Sequence, residues 1–150
     1  MQPLATIGYE DATVKRFLEA LTRAGVELLV DVRALASSRR PGFAKTALAA
    51  NLAGAGIGYL HLRGLGTPAE GRAAARAGRP EEMRAIFADH LATERAQEDL
   101  AALAELVSAG RRVCLLCLEA DPTHCHRSLV ADALAARIPV EVSHLRIADE

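Results

Sequence analysis

The chain has 150 residues, of which 51% are apolar, and a formal net charge of −1. This length and apolar content suit one domain with a continuous core, so we expect a single domain over residues 1–150 and no second full domain. No stretch approaches eighteen uncharged apolar residues, and the amino terminus lacks the pattern of a secretory signal, so we expect a soluble, cytoplasmic protein without a membrane partner.

Short apolar runs and amphipathic segments alternate along the chain, which is typical of strands alternating with helices. The first strand is predicted at 4–9, followed by a helix at 11–24 that Gly25 ends, and by a nearly continuous apolar strand at 26–32. A helix at 45–53 and a strand at 57–62 lead into 63–80, whose composition favours a mobile loop or a short, weakly held helix, a candidate lid. The remaining predicted elements are helices at 81–93 and 94–109, a strand at 112–118, a helix at 123–137, and a strand with Ile138, Val140 and Val142.

This alternation predicts right-handed crossovers and a mainly parallel five-stranded sheet with helices on both faces, a three-layer α/β sandwich. In such a sheet the carboxyl ends of all strands meet at one edge, where ligands bind. Polar residues end four of the predicted strands: Gly8, Tyr9 and Glu10; Asp31 and Arg33; Tyr59 and His61; Cys117 and Glu119. The sequence therefore predicts one polar pocket at this edge.

Charge is distributed unevenly along the chain. Residues 33–79 hold eight basic side chains against one acid, a balance of +7, while the rest of the chain carries ten basic and eighteen acidic side chains, a balance of −8. A basic segment concentrates anions near it, so we expect a small anionic, phosphorylated or nucleotide-like partner. Nucleic acid is a possible partner for the same reason. Composition gives no prediction of oligomeric state.

The strongest local signal is the sequence CLEADPTHCHRSL at 117–129, which joins a strand to a helix. Asp121 before Pro122, or Thr123 one turn later, is a suitable N-cap. Free N–H groups at a helix start lower the pKa of a thiol, so Cys125 is a candidate nucleophile, and Arg127 a candidate anion clamp. Either cap would place four residues in or near the first helical turn: His124, Cys125, His126 and Arg127.

Several motifs together resemble the domain-of-unknown-function family 488, a set of small bacterial and archaeal proteins. The resemblance covers nearly the whole chain and implies a compact α/β fold, but it implies no established activity. The motifs are TIGYE at 6–10, DVR at 31–33, Ser38 with Arg39, Gly42 with Phe43, YLHLRGLG at 59–66 and LLCLEADPTHCHR at 115–127. The positions carried over from the family are Gly8, Tyr9, Asp31, Arg33, Ser38, Arg39, Tyr59, His61, Leu65, Gly66, Cys117, Glu119, Cys125, His126 and Arg127.

Two enzymatic interpretations fit these residues. In the first, Cys125 is the nucleophile and a histidine, His126, His124 or His61, is its base. In the second, Glu119, Asp31 or His61 supplies acid and base. In both, the anionic substrate would be held by Arg33, Arg39 and Arg127, and in the second Cys117 and Cys125 merely line the pocket. The predicted substrate-binding residues also include Tyr9, Asp31, Tyr59 and Cys117.

A third interpretation is a non-catalytic module that binds a nucleotide or nucleic acid through the basic loops. The chain has only five aromatic residues, so a broad base-stacking platform is not expected.

No cofactor and no metal are predicted. Cys114 and Cys117 form a CxxC inside a predicted strand, where the two thiols point to opposite faces, and the other ligand-type residues have poor metal-site spacing. The three cysteines, an odd number, also argue against a secreted disulfide framework.

Overall fold

The structure is a computed structural model that describes residues 1–122 and 125–148. Its strands are β1 (Gln2–Gly8), β2 (Leu28–Asp31), β3 (Gly58–His61), β4 (Val113–Cys117) and β5 (Val140–His144). Its α-helices are α1 (Val14–Arg23), α2 (Lys45–Gly54), α3 (Ala69–Arg76), α4 (Pro80–Leu91), α5 (Glu94–Ser108) and α6 (Arg127–Ala135), and a 3-10 turn spans Arg63–Leu65.

The five strands form one sheet in the order β3-β2-β4-β1-β5, and every pairing is parallel. Helices cover both faces. On one face α1 and α2 bury a core that includes Phe17 and Leu52, and on the other α3 to α6 bury a core that includes Phe87 and Leu103. The predicted fold class, a three-layer α/β sandwich around a parallel sheet, is confirmed.

Local sequence signals account for several helix starts. The Thr13 hydroxyl accepts a hydrogen bond from the Arg16 N–H at 3.2 Å, and the Thr93 hydroxyl accepts one from the Ala96 N–H at 3.3 Å. Each satisfies an N–H that the helix itself leaves unpaired. Pro80 is the first residue of α4, where its missing N–H costs nothing.

The segment 63–80 contains both the 3-10 turn and α3, so its short-helix interpretation holds for 69–76. The prediction for the last helix was wrong at its start. The helix begins at Arg127 rather than at residue 123, and His126 is its N-cap without a side-chain capping bond. The candidate cap Thr123 and His124 lie outside the described residues.

Across the described ranges, no helix has the length and apolar character needed to cross a membrane.

Candidate functional site

The sheet order creates one place where the connections of neighbouring strands diverge. The chain leaves β2 toward the β3 edge through α2, on one face, and leaves the adjacent β4 toward the β5 edge through α6, on the other face. In open α/β sheets, such divergence opens a crevice at the carboxyl ends of the two strands, and ligands bind there. The residues after β2 and β4 are therefore the first to consider.

A buried ion pair follows β2. The Arg33 side chain donates to the Asp31 carboxylate from Nε at 2.9 Å and from Nη2 at 2.7 Å. Nη1 donates to the Tyr9 hydroxyl at 3.2 Å and to the Phe43 carbonyl at 2.8 Å, and the Tyr59 hydroxyl donates to Asp31 at 2.6 Å. Asp31 is 0% exposed and Arg33 is 5% exposed. The donors of Arg33 are thus directed at the protein itself, which favours a structural role over the expected role in substrate binding.

The protonation states in this network follow from burial and pairing. Burial acts to lower the pKa of Arg33, but hydrogen bonds to Asp31 and its negative charge more than offset this and raise it. Burial and the hydrogen bond to Asp31 raise the pKa of Tyr59 well above its usual value. Arg33 therefore stays charged and Tyr59 stays a hydrogen-bond donor.

A second group of polar side chains, which we call the thiol–imidazole cluster, joins the end of β4 to the start of α6. It consists of Cys117, Cys125 and His126, and its ligand-type atoms all lie within 4.8 Å of one another. The Cys117 and Cys125 Sγ atoms lie 3.4 Å and 3.9 Å from His126 Nδ1. All three side chains are buried.

The tautomer of His126 can be deduced from its other contact. Nε2 lies 2.6 Å from the Val32 carbonyl oxygen, which can only accept, so Nε2 carries a hydrogen. In the neutral ring Nδ1 then carries a lone pair, and this lone pair faces the two thiols. This bond also connects the residue after β2 to the residue before α6, so the cluster lies between the ends of β2 and β4.

Burial changes the acidity of both ring and thiol. Burial, and next its contacts with Cys117, raise the pKa of Cys125 well above that of a free thiol, although His126 acts in the opposite direction. Burial acts to lower the pKa of His126. Three effects outweigh burial and raise this pKa: the hydrogen bond to Cys125, the hydrogen bond to the Val32 carbonyl, and the negative charge of Glu119. The expectation of a partly ionised Cys125 in a first helical turn is therefore not supported, because Cys125 precedes the helix and is buried.

Two other predicted residues lie beside the cluster. The half-buried Glu119 accepts from the Cys117 thiol at 3.7 Å. Arg127 is fully buried and donates from Nε to the Thr6 hydroxyl at 3.1 Å, and from its two terminal nitrogens to the carbonyls of Glu119 and Ala120. These contacts make Arg127 a brace between β1 and the loop after β4 and argue against an anion clamp.

The last two predicted residues lie on the β2 and β3 side. His61, half buried, contacts the Arg33 carbonyl oxygen through Nε2 at 2.7 Å. Arg39 is exposed in the loop between β2 and α2. The fragments DVR (31–33), YLH (59–61) and CHR (125–127) therefore meet, because His61 and His126 contact the backbone carbonyls of Arg33 and Val32. Among the described residues, no hydrogen bond or ion pair connects Arg39 to these fragments.

Sequence reasoning missed a basic cleft of about 310 Å³ beside the ends of β2 and β3. It is lined by Gly64 and Gly66, by the basic side chains of Arg63, Arg72 and Arg95, and by His90. Arg72 donates to the Thr67 carbonyl at 2.9 Å, and His90 Nε2 contacts the Gly64 carbonyl at 2.7 Å. Two features of the sequence could have predicted this cleft: the basic charge of residues 63–80, and the positions of His90 and Arg95 on the predicted helices.

The cleft is close to the thiol–imidazole cluster. The Phe87 ring lies 5.5 Å from the His126 ring and 6.3 Å from the His90 ring, centroid to centroid. A second cavity, of about 420 Å³, lies on the other side of the sheet edge between Gly8, Arg16 and Arg146. Of these two cavities, both lined by described residues, the basic cleft combines three arginine side chains with proximity to the cluster.

Fold and site together define a parallel α/β protein with a buried thiol–imidazole cluster where its strand connections diverge. The chain belongs to the family described as Domain of unknown function DUF488, whose model matches residues 13–134. The resemblance read from the motifs is thereby confirmed, and the matched range contains the whole cluster. No curated protein and no solved structure matches the chain.

Proposed function

We propose that the protein is an enzyme that acts on a small phosphorylated or nucleotide-like substrate in the crevice between the ends of β2 and β4. The observation that carries this proposal is the placement of Cys117, Cys125 and His126 at the one divergence of the strand connections, next to a cationic cleft. Reactive residue types at such a position are typical of α/β enzymes.

The cleft supplies the affinity for anions in this proposal. Arg63 and Arg95 are exposed at its walls, and the bond to Thr67 holds Arg72 in place. Guanidinium groups bind phosphate oxygens through paired N–H donors, so this cleft replaces Arg33 and Arg127 as the substrate-binding site.

The cluster supplies the chemistry. Because the Val32 carbonyl holds the hydrogen of Nε2, proton transfer at His126 takes place at Nδ1, which faces the thiols. Cys117, 3.4 Å from Nδ1, lies closer to the base than Cys125, at 3.9 Å. Glu119 at the rim is a second acid or base.

The test is a panel of nucleotides and sugar phosphates, assayed for binding by calorimetry and for turnover by phosphate release and mass spectrometry. We expect Arg63→Gln and Arg95→Gln to weaken binding about tenfold each, a typical effect of removing a charged hydrogen-bond donor. Arg76→Gln is the matched control, because Arg76 belongs to the same basic segment but does not line the cleft. Cys117→Ala should abolish turnover and preserve binding. Equal affinities of the three arginine variants would contradict the proposal.

The alternative is binding without catalysis, and the burial of the cluster favours it: Cys117, Cys125 and His126 are 6%, 3% and 7% exposed. Under this alternative, ligands bind to the cleft, no product forms, and Cys125→Ser leaves affinity unchanged. If the ligand is a nucleic acid, affinity should fall steeply with salt concentration.

A further inference from the structure

We propose that the thiol–imidazole cluster is a metal site in which Cys117 Sγ, Cys125 Sγ and His126 Nδ1 bind one thiophilic divalent ion, with Zn²⁺ the best fit. Thiolates and imidazole are the donors that zinc prefers, and three protein ligands are the usual number in a zinc site that keeps one position open. The sequence predicted no metal, because C-x7-C-H is not a familiar spacing. The fold brings these residues together instead.

The two sulfur-to-nitrogen distances match a tetrahedral site. Zinc binds sulfur at about 2.3 Å and nitrogen at about 2.0–2.1 Å, so sulfur and nitrogen ligands on one ion lie about 3.6 Å apart. The two sulfur-to-Nδ1 distances are 3.4 Å and 3.9 Å. Small shifts of either thiol therefore suffice to hold an ion.

The surroundings of His126 are those of a metal ligand. A ligating histidine usually donates its other ring N–H to a carbonyl or carboxylate, which fixes the tautomer and aims the lone pair. Nε2 makes this bond to the Val32 carbonyl at 2.6 Å, and Nδ1 is left pointing at the two thiols. The Phe87 ring packs beside the imidazole with centroids 5.5 Å apart.

The net charge of the proposed metal complex is compatible with its burial. Binding replaces the two S–H bonds by two metal–sulfur bonds and releases two protons to solvent, so a divalent ion with two thiolates and a neutral imidazole carries no net charge. A neutral complex avoids the cost of burying an isolated charge. Cys114 takes no part, because it is buried in the core on the opposite face of the sheet with Phe17 and Leu52.

With three protein ligands the ion would keep a fourth position, and the Glu119 carboxylate oxygen lies 3.7 Å from Cys117 Sγ, one of the three ligands. Glu119 is half buried, and the fourth position would be taken by water or by an oxygen of a bound ligand. If the proposed enzymatic function holds, the bound ion would take the place of proton transfer at His126 Nδ1 and would polarise a substrate oxygen at the fourth position. Metal binding itself does not depend on that function.

The test uses the full-length chain, reduced and freed of metal with a chelator, and titrated with Co²⁺ and then Zn²⁺. We expect one Co²⁺ per chain, with an intense sulfur-to-cobalt charge-transfer band and the visible bands of tetrahedral cobalt, and displacement of Co²⁺ by Zn²⁺. Cys117→Ser and Cys125→Ser should each lower affinity at least about a hundredfold, more than the 10- to 100-fold typical of losing an outer-shell partner. Cys114→Ala is the matched control and should bind like the wild type.

A second measurement guards against variants that fail to fold. In the wild-type chain, Zn²⁺ should slow alkylation of Cys117 and Cys125, located by peptide mass mapping, and leave the rate at Cys114 unchanged. No charge-transfer band in the wild type, a band that survives in the Cys117→Ser/Cys125→Ser double variant, or unchanged alkylation would each overturn the proposal.

The metal proposal and the proposed function can be refuted independently of each other. Binding of a phosphorylated ligand to a chain that takes up no Co²⁺ would refute the metal site alone. Co²⁺ binding that persists in Arg63→Gln and Arg95→Gln, in a chain that binds no phosphorylated ligand, would support the metal site and remove the proposed substrate.

Discussion

The buried pair of Asp31 and Arg33 gives the sharpest stability prediction. The Asp31 carboxylate accepts from the Arg33 backbone N–H at 3.0 Å, from two nitrogens of the Arg33 side chain, and from the Tyr59 hydroxyl at 2.6 Å. Asp31→Asn keeps the shape but leaves a buried guanidinium without its counter-charge. Breaking such a pair costs about 3–5 kcal/mol, about a fifth or more of the 5–15 kcal/mol that stabilises a typical domain.

The assay is equilibrium unfolding in urea for Asp31→Asn, Arg33→Met and the double variant. The double variant removes both charges, so it should be less destabilised than the sum of the single variants by about 2 kcal/mol or more. The matched control is Glu82→Gln, which breaks the exposed Arg79–Glu82 pair at 3.1 Å and should cost less than about 1 kcal/mol. A loss below about 1 kcal/mol in Asp31→Asn, or strictly additive losses in the double variant, would refute the reasoning.

Two further predictions concern other parts of the site edge. Gly8→Ala should lower stability by about 1–3 kcal/mol or more in urea unfolding, because a Cβ there would lie 1.7 Å from the Glu119 carbonyl oxygen. Gly54→Ala, where a Cβ meets nothing within 4 Å, is the control, and equal unfolding midpoints would contradict the prediction. Burial, and then the positive charge of Arg127, lower the pKa of His144, whose Nδ1 lies 2.6 Å from the Thr6 hydroxyl. A lowered pKa means that the neutral ring stabilises the fold above pH 6.5, and that this contribution is lost as the pH falls from 6.5 through the folded-state pKa. In stability measured against pH, His144→Asn should flatten this decline, and an unchanged slope would show that His144 does not cause it.

Several features of the site could be predicted from the sequence because they depend on local patterns. Asp31 with Arg33, and Tyr59 with His61, alternate along strands, so their positions at strand ends followed from period-two reasoning. Roles were harder to predict than positions. Whether Arg33 faces a ligand or the protein depends on Asp31 and Tyr9, which contact it only in the folded chain.

The start of the last helix shows a limit of local rules. Both predicted caps were reasonable, yet the helix begins at Arg127. The Arg127 guanidinium is anchored by Thr6, more than a hundred residues earlier, and His126 is anchored by Val32. Such long-range bonds override capping preferences worth about 1 kcal/mol.

The sequence by itself determined the alternation of strands and helices, the parallel sheet that this alternation requires, and the edge at which the polar residues lie, because periodicity and chain connectivity are local properties. Only the tertiary structure decided that β4 lies beside β2. That neighbourhood depends on how two separate cores pack against the two faces of the sheet. It brings the Val32 carbonyl to His126, and with that contact it directs one imidazole nitrogen at two thiols.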